Sequence, residues 1–514
     1  MKKTIYFAST LLFLACGTGK DASSKDANVD QAEKYAKTIT AEELKEHLYT
    51  YASDDFEGRE TGEPGQKKAV EYLKNHNVSL KIKSPLSKKN YFQAVPLKKV
   101  GSPNISLTLN NTNYKAVEDI VAISGNDGTM TANQVVYVGF GIESDKYSNY
   151  TNTNVTDKVV LIKAGEPKNG DNYLISGTDK PSKWSNRQQF STKRELAFKK
   201  GAKAVFMYSE SMYPNIARWY GSSRKSISLV DKKADKKSNY FFVSSNIAKA
   251  LVSDIDSHEN VKTVNTSLSL TFKENSEDMS SENVLAYIEG TEKPDEVLVI
   301  SSHLDHEGIK NGKVYNGADD DGSGSVALLE IAEAFKMASK NGHKPKRSIL
   351  FLHVTGEEKG LLGSRYYTDM EPIFPLKNTI ANLNIDMIGR TDPKRKEGDR
   401  NYIYLIGSDK LSTELHEISE AVNKKYTNVE LDYKFKDNDP NRYYYRSDHY
   451  NFAKNNIPVI FYFNGTHADY HKDTDTPDKI EYDLLENRTR LVFHTAWELV
   501  NRENRIIVDK AENK

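Results

Sequence analysis

The 514-residue sequence holds a single cysteine, Cys16. One thiol excludes an internal disulfide and any cysteine-built metal site, so core packing or oxygen and nitrogen donors to a metal must hold the fold. Net charge is also missing, with 72 Lys+Arg against 72 Asp+Glu. A general nucleic-acid binder draws its affinity from neutralised phosphates, and a balanced chain lacks that footprint, so no nucleic-acid partner is expected. Long apolar runs are absent too. The one strongly apolar stretch, residues 5–15, is shorter than the ~20 residues a membrane span needs. Hydrophobic residues make up 37% and mean hydropathy is -0.67, yet 30 tyrosines supply core material. At roughly 100 to 200 residues per domain, the length implies at least two folded units.

The apolar stretch follows Lys2 and Lys3 and ends in Phe13-Leu14-Ala15-Cys16. A basic start, a short apolar segment and a small residue before a cut form a secretion signal. The tetrapeptide resembles a bacterial lipobox, in which Cys16 becomes the lipidated first residue. The expected product is an exported cell-envelope lipoprotein, joined to the membrane through Cys16 and otherwise secreted. Residues 1–15 are read as the signal peptide and 16–39, small and polar, as a tether that buries too little apolar surface to order itself.

From Thr40, a candidate N-cap, AEELKEHLYTYAS and GQKKAVEYLKNH space their apolar residues as helices around the loop DFEGRETGEPG. This segment, 40–116, is assigned to the N-terminal part of a main domain. Between 117 and 265 short strands such as QVVYVGFGI and KVVLIKAG alternate with turns, and the helix STKRELAFKKGA leads to AVFMYS, which reads as a separate insert. From 266 to 514 strands and helices alternate: NVLAYIEG, EVLVISS, a helix from about 322, SILFLHV, TIANLNID, YIYLIG, PVIFYF and a last helix. That order predicts an α/β fold, a mixed but mostly parallel sheet with helices on both faces, plus a small β-rich insert.

In such sheets sites form at the carboxyl ends of strands. EVLVISS ends in His303-Leu304-Asp305, and the next helix is entered through Gly317-Ala318-Asp319-Asp320-Asp321-Gly322-Ser323-Gly324. SILFLHV runs into Gly356-Glu357-Glu358, TIANLNI ends at Asp386, and PVIFYF is followed by Tyr470-His471 and Asp473. Singly each has an ordinary structural use: a hydrogen-bonded histidine, N-capping aspartates, carboxylates on a helix dipole. Together they bring carboxylates and imidazoles to successive strand ends, the donor mixture of a hard or borderline divalent metal, with zinc the best fit. Two such ions about 3.5–4 Å apart need one bridging carboxylate and four terminal donors.

His303-x-Asp305, Gly317-x-x-Asp320 with Gly322-Ser323-Gly324, Gly356-Glu357-Glu358, Asn384-Ile385-Asp386-Met387 and Tyr470-His471-x-Asp473-x-Asp475-Thr476 resemble, in order, the motifs of metallopeptidase family twenty-eight, the co-catalytic zinc aminopeptidases. The likeness runs from about 40 to 505. It implies two zinc ions per chain: Asp320 bridging, His303 and Asp386 on one ion, Glu358 and His471 on the other. It implies Glu357 as uncoordinated general base and acid, Asp305 behind His303 fixing its tautomer through the carboxylate, and Tyr470 steadying the oxyanion. A cis peptide after Asp320 is also implied. The insert resembles the protease-associated (PA) domain often found in these enzymes.

The activity so implied is removal of N-terminal residues from peptides. The alternatives are a carboxypeptidase or dipeptidase reading a substrate carboxylate through Arg442 or Arg446, a glutaminyl cyclase, and a receptor-like binding protein that has lost catalysis. Ser447-Asp448-His449 is expected to support the site by hydrogen bonds, and His306, His353 and His467 receive no role.

Overall fold

The computed structural model describes residues 30–86, 90–221, 226–230 and 238–511. The expected signal peptide, residues 1–15, and Cys16 lie outside these residues. Among the described residues no helix is long and apolar enough to cross a membrane.

The described end of the expected 16–39 tether is structured. Gln31–Ala36 is a helix, N-capped by Asp30, whose carboxylate accepts from the amides of Ala32 and Glu33. Its Tyr35 and Ala36 are buried, and the Tyr35 ring stacks on Trp497 at 5.9 Å. The polar composition around them hides three residues that join the core, Tyr35, Ala36 and Ile39. Thr40 caps the next helix, Ala41–Tyr51, as expected: its hydroxyl accepts from the amide of Glu43 and donates to the Glu43 carboxylate.

Nine strands form the main sheet, in the order Ser226–Leu229, Phe92–Val100, Ser276–Ile288, Arg347–Val354, Lys293–His303, Thr379–Ile385, Val459–Phe463, Tyr402–Ile406, Glu430–Asp432. The four strands from Arg347–Val354 to Val459–Phe463 are parallel, and antiparallel pairings flank them on both sides. Arg347–Val354 and Thr379–Ile385 are buried throughout, as strands covered on both faces must be. Period-two alternation divides the neighbouring strand. Leu298 and Ile300 join the core with helices Gly324–Lys340 and Tyr482–Asn501, while Val297 and Val299 face Tyr367 and Phe452 on the other side. Burying each such side chain contributes about 1.5–3 kcal/mol.

A second, eight-stranded sheet draws its strands from Asn104 to Lys273 and has apolar clusters on both faces. It is wider than the 117–265 segment: Asn104–Leu109 pairs with Lys262–Lys273, whose strand continues past 265. One piece of the expected insert belongs elsewhere, since Ser226–Leu229 pairs with Phe92–Val100 at the edge of the nine-stranded sheet.

Arg59 joins the N-terminal segment to the strand ends. Its guanidinium is buried and donates to the carbonyls of Tyr51, Leu304, Asn316 and Gly317, binding the turn after His303 to the turn before Asp320.

Candidate active site

Three of the four parallel strands bring polar side chains to a shared point at their carboxyl ends. His303 is the last residue of Lys293–His303, Glu357 and Glu358 follow Arg347–Val354, and Asp386 follows Thr379–Ile385. Asp320 lies in the helical turn Ala318–Ser323, and the Asp320–Asp321 peptide is cis. Asp321 ties this turn down: one carboxylate oxygen accepts from the amides of Gly324 and Met387, the other from that of His303. Asp475 accepts from the amides of Asp319 and Asp320 at 3.0 and 3.2 Å, and His467 Nε2 lies 3.2 Å from Asp319 Oδ2.

The Asp320 carboxylate divides between two donor groups. Its Oδ1 lies 3.2 Å from His303 Nε2, which is 3.6 Å from Asp386 Oδ1. Its Oδ2 lies 3.0 Å from His471 Nε2, which is 3.3 Å from Glu358 Oε2. The five residues expected as ligands therefore come together. His303, Asp320, Glu358 and Asp386 are nearly inaccessible, whereas the His471 side chain is 34% exposed.

Electrostatics make this point a sink for positive charge. Burial works against a charged imidazole in both histidines, yet carboxylates overcome it. Asp386 and Asp320 hold His303 well above its ordinary value, and Asp320 and Glu358 raise His471 to about 10. Burial and the Asp320 charge raise Glu358, but His306 and His471 outweigh them and bring it to about 2. Glu357 goes the other way: burial, reinforced by Asp386 and Glu358, lifts it well above the usual carboxylate range. Such a residue readily holds and releases a proton.

The donors fit zinc. His303 Nε2, Asp320 Oδ2 and Glu358 Oε1 are buried and have no hydrogen-bond partner among the described residues, and buried polar atoms of this kind call for one. Triads of potential ligand atoms within 4.8 Å of one another occur at His303/Asp320/Asp386, His306/Asp320/Glu358 and Glu307/Glu358/His471. Two imidazoles and three carboxylates are borderline-hard donors with no thiolate among them.

Other expected residues are placed differently. Asp305 does stand behind His303, but it is its main-chain carbonyl that meets His303 Nδ1, at 2.9 Å, while its carboxylate oxygen is 3.9 Å away. That carboxylate instead accepts from the amide of Glu357 at 3.1 Å and the hydroxyl of Thr61 at 2.6 Å, so Asp305 positions Glu357 as well. Tyr470 stacks on His471 at 3.9 Å and lines a small recess with Asp320, Glu357, Asp386, Met387, Tyr443, Arg446, Phe461, Phe463 and Thr466. Burial and then the Asp320 and Glu358 charges push its phenol up, keeping it a proton donor. Arg446 reaches this recess; Arg442 does not, lining another cavity and covering the Tyr445 ring. Ser447 supports the site as expected, donating to Asp386 Oδ2. His353 is buried behind it against the carbonyl of Ser325. Asp473 pairs with Lys313 at the surface.

The sequence reading missed His306 and Arg59. A histidine next to a recognised His-x-Asp motif was the available signal for the first. A lone arginine in a polar loop gave none for the second. A larger cavity, about 950 Å³, lies between the edge of the nine-stranded sheet and the second sheet around Trp219, Tyr220 and Phe272. It contains none of the expected site residues.

Residues 283–496, which include every ligand position above, match Peptidase family M28. This stretch is a peptidase family M28 domain. Within curated sequences the chain is similar to a probable glutamate carboxypeptidase, LAMP1, of Arabidopsis thaliana: 34% identity over 105 residues, 20% of this chain and 14% of the relative. It is 31% identical over 188 residues to leupeptin-inactivating enzyme 1 of Streptomyces exfoliatus, 35% of this chain and 34% of the relative. The chain thus spans a minor part of the curated relatives it matches. Among solved structures it is similar to an aminopeptidase from Aneurinibacillus sp. strain AM-1, with a TM-score of 0.47 and 20% identity over 94% of this chain and 98% of that one. The M28 domain supplies the parallel strands and all five divided donors, while the second sheet lies in a part of the chain the family match does not reach.

Proposed function

We propose that this protein is an exported, lipid-anchored dinuclear zinc exopeptidase that removes N-terminal residues from peptides. The observation that carries the reading is the division of Asp320, one oxygen toward His303 and Asp386 and the other toward His471 and Glu358. His303, Asp320 and Asp386 would hold one ion, and Asp320, Glu358 and His471 the other. When bound, the ions supply Lewis-acid polarisation of the scissile carbonyl and an acidified water. Glu357 takes a proton from the attacking water and delivers it to the amine nitrogen as the carbon–nitrogen bond breaks. Asp305 holds the main chain of Glu357, and Tyr470 offers its phenolic proton to the carbonyl oxygen as charge gathers there.

The aromatic rings of Tyr443, Phe461 and Phe463 line the small recess beside Glu357 and Asp386, an apolar wall that supports placing a substrate side chain there. The N-terminal segment with Lys2, Lys3 and the lipobox-like Cys16 supports export and anchoring. We read the second sheet as a PA-like domain that shapes access to the cleft.

Arg446 favours a second reading, a carboxypeptidase or dipeptidase that pairs this guanidinium with a substrate carboxylate. Leupeptin-inactivating and glutamate carboxypeptidase names among the relatives fit either reading. An aminoacyl amide and an N-acylated peptide with a free C-terminus, assayed on purified protein, separate them. Cleavage of the amide alone supports the aminopeptidase, and cleavage of the blocked peptide alone overturns it.

A further inference from the structure

His306 stands one residue beyond the His303-x-Asp305 motif and is fully buried. Its ring is pinned between two neighbours. On one side is Gly317, where a Cβ would come within 2.4 Å of His306 Cγ, so only glycine leaves room. On the other is the His471 ring, edge-on at 5.7 Å. In that orientation Nδ1 lies 2.9 Å from Glu358 Oε1 and 3.7 Å from Asp320 Oδ2. Neither ring nitrogen makes a hydrogen bond among the described residues, and Glu358 Oε1 and Asp320 Oδ2 are likewise without one.

A buried imidazole facing two carboxylate oxygens without hydrogen-bond geometry leaves three polar atoms unpaired, each at the cost of its lost hydration. A cation shared by all three removes that cost at once, because ligand atoms on one zinc are drawn together without donating to one another. Resting on the two-zinc reading above, we infer that His306 is a sixth protein ligand, binding through Nδ1 the zinc that Asp320, Glu358 and His471 also hold.

The two zinc positions then differ in kind. His303, Asp320 and Asp386 give the first three protein donors, which leaves a place open for substrate. Asp320, Glu358, His471 and His306 give the second four, the number of a closed, structural site. His471, the exposed member, is then not the only imidazole on its ion. The second position is the retained one, and the first exchanges.

A crystal structure of the full chain grown with zinc, together with stepwise zinc removal by a chelator from the wild type and His306→Gln, tests this. The expected result is His306 Nδ1 at about 2.0–2.1 Å from the second zinc. In the wild type one zinc per chain should leave well before the other, and in His306→Gln the slower zinc should bind at least tenfold more weakly with the faster one little changed. Two zinc ions on Asp320 with His306 Nδ1 beyond about 3 Å, hydrogen-bonded to Glu358, overturn the inference and leave the two-zinc reading standing. No zinc on Asp320 overturns that reading itself.

Discussion

Ser447 donates its hydroxyl proton to Asp386 Oδ2 across 2.6 Å and so fixes the one carboxylate that belongs to the His303 side of the site alone. The serine oxygen accepts in turn from Asn384 Nδ2 at 2.9 Å, and Asn384 Oδ1 accepts from Ser301 at 2.7 Å, a line of bonds running back into the sheet. Groups of this kind hold a ligand in its binding orientation, and their loss costs about 10–100-fold in metal affinity. Ser447→Ala should fold normally and weaken one zinc by that factor in chelator competition, leaving the other unchanged.

Glu357 and His471 should separate chemistry from metal binding. Glu357→Gln removes the proton carrier without touching a donor, so turnover should fall by about 10²–10⁴-fold with zinc content intact. His471→Ala should lose turnover and part of the zinc together. Near-normal turnover by Glu357→Gln would contradict the role given to it.

Glu330 predicts a pH dependence of stability away from the site. It is buried on the helix after Asp320, 3.5 Å from His47 Nε2. Burial first, then the Glu43 and Glu333 charges, raises it to about 8. A carboxyl raised on folding favours the folded state while both states are protonated. That contribution falls away as pH climbs from the unfolded value, near 4.5, through about 8. Thermal melts should therefore show the wild type losing stability over this window, with Glu330→Gln flatter and more stable than the wild type at pH 9. Parallel curves for the two proteins would contradict it.

Arg446 decides between the two exopeptidase readings. Its guanidinium stands 5.0 Å over the Tyr443 ring at the recess. Arg446→Leu should leave hydrolysis of an uncharged aminoacyl amide within about threefold of wild type, since no ion pair to such a substrate is lost. If the dipeptidase reading holds, hydrolysis of a dipeptide with a free carboxylate should fall by at least tenfold, seen mainly in KM.

Much of this site was legible because metal donors sit at strand ends, and strand ends can be read from where an apolar run stops. EVLVISS, SILFLHV, TIANLNI and PVIFYF located His303, Glu357, Glu358, Asp386 and His471 without any knowledge of packing. What failed were choices between atoms of one residue or between neighbours of like chemistry. Asp305 meets His303 through its carbonyl because the chain turns there, and spacing cannot tell a carbonyl from a carboxylate. Arg442 and Arg446 are four apart in an irregular segment, where no periodicity says which one faces the recess. His306 depended on Gly317 lying against its ring, a contact between segments 11 residues apart. The second sheet outgrew its expected limits because the long strand Lys262–Lys273 serves it from end to end, and Ser226–Leu229 left it because edge pairing is a tertiary choice.

The central claim is that Asp320 joins two zinc ions. Metal content of the purified full chain, measured by mass spectrometry beside Asp320→Asn, tests it most directly. The account predicts about two zinc per wild-type chain and loss of both affinity and turnover in the variant. Full peptidase turnover by zinc-free protein, or by Asp320→Asn, would contradict it.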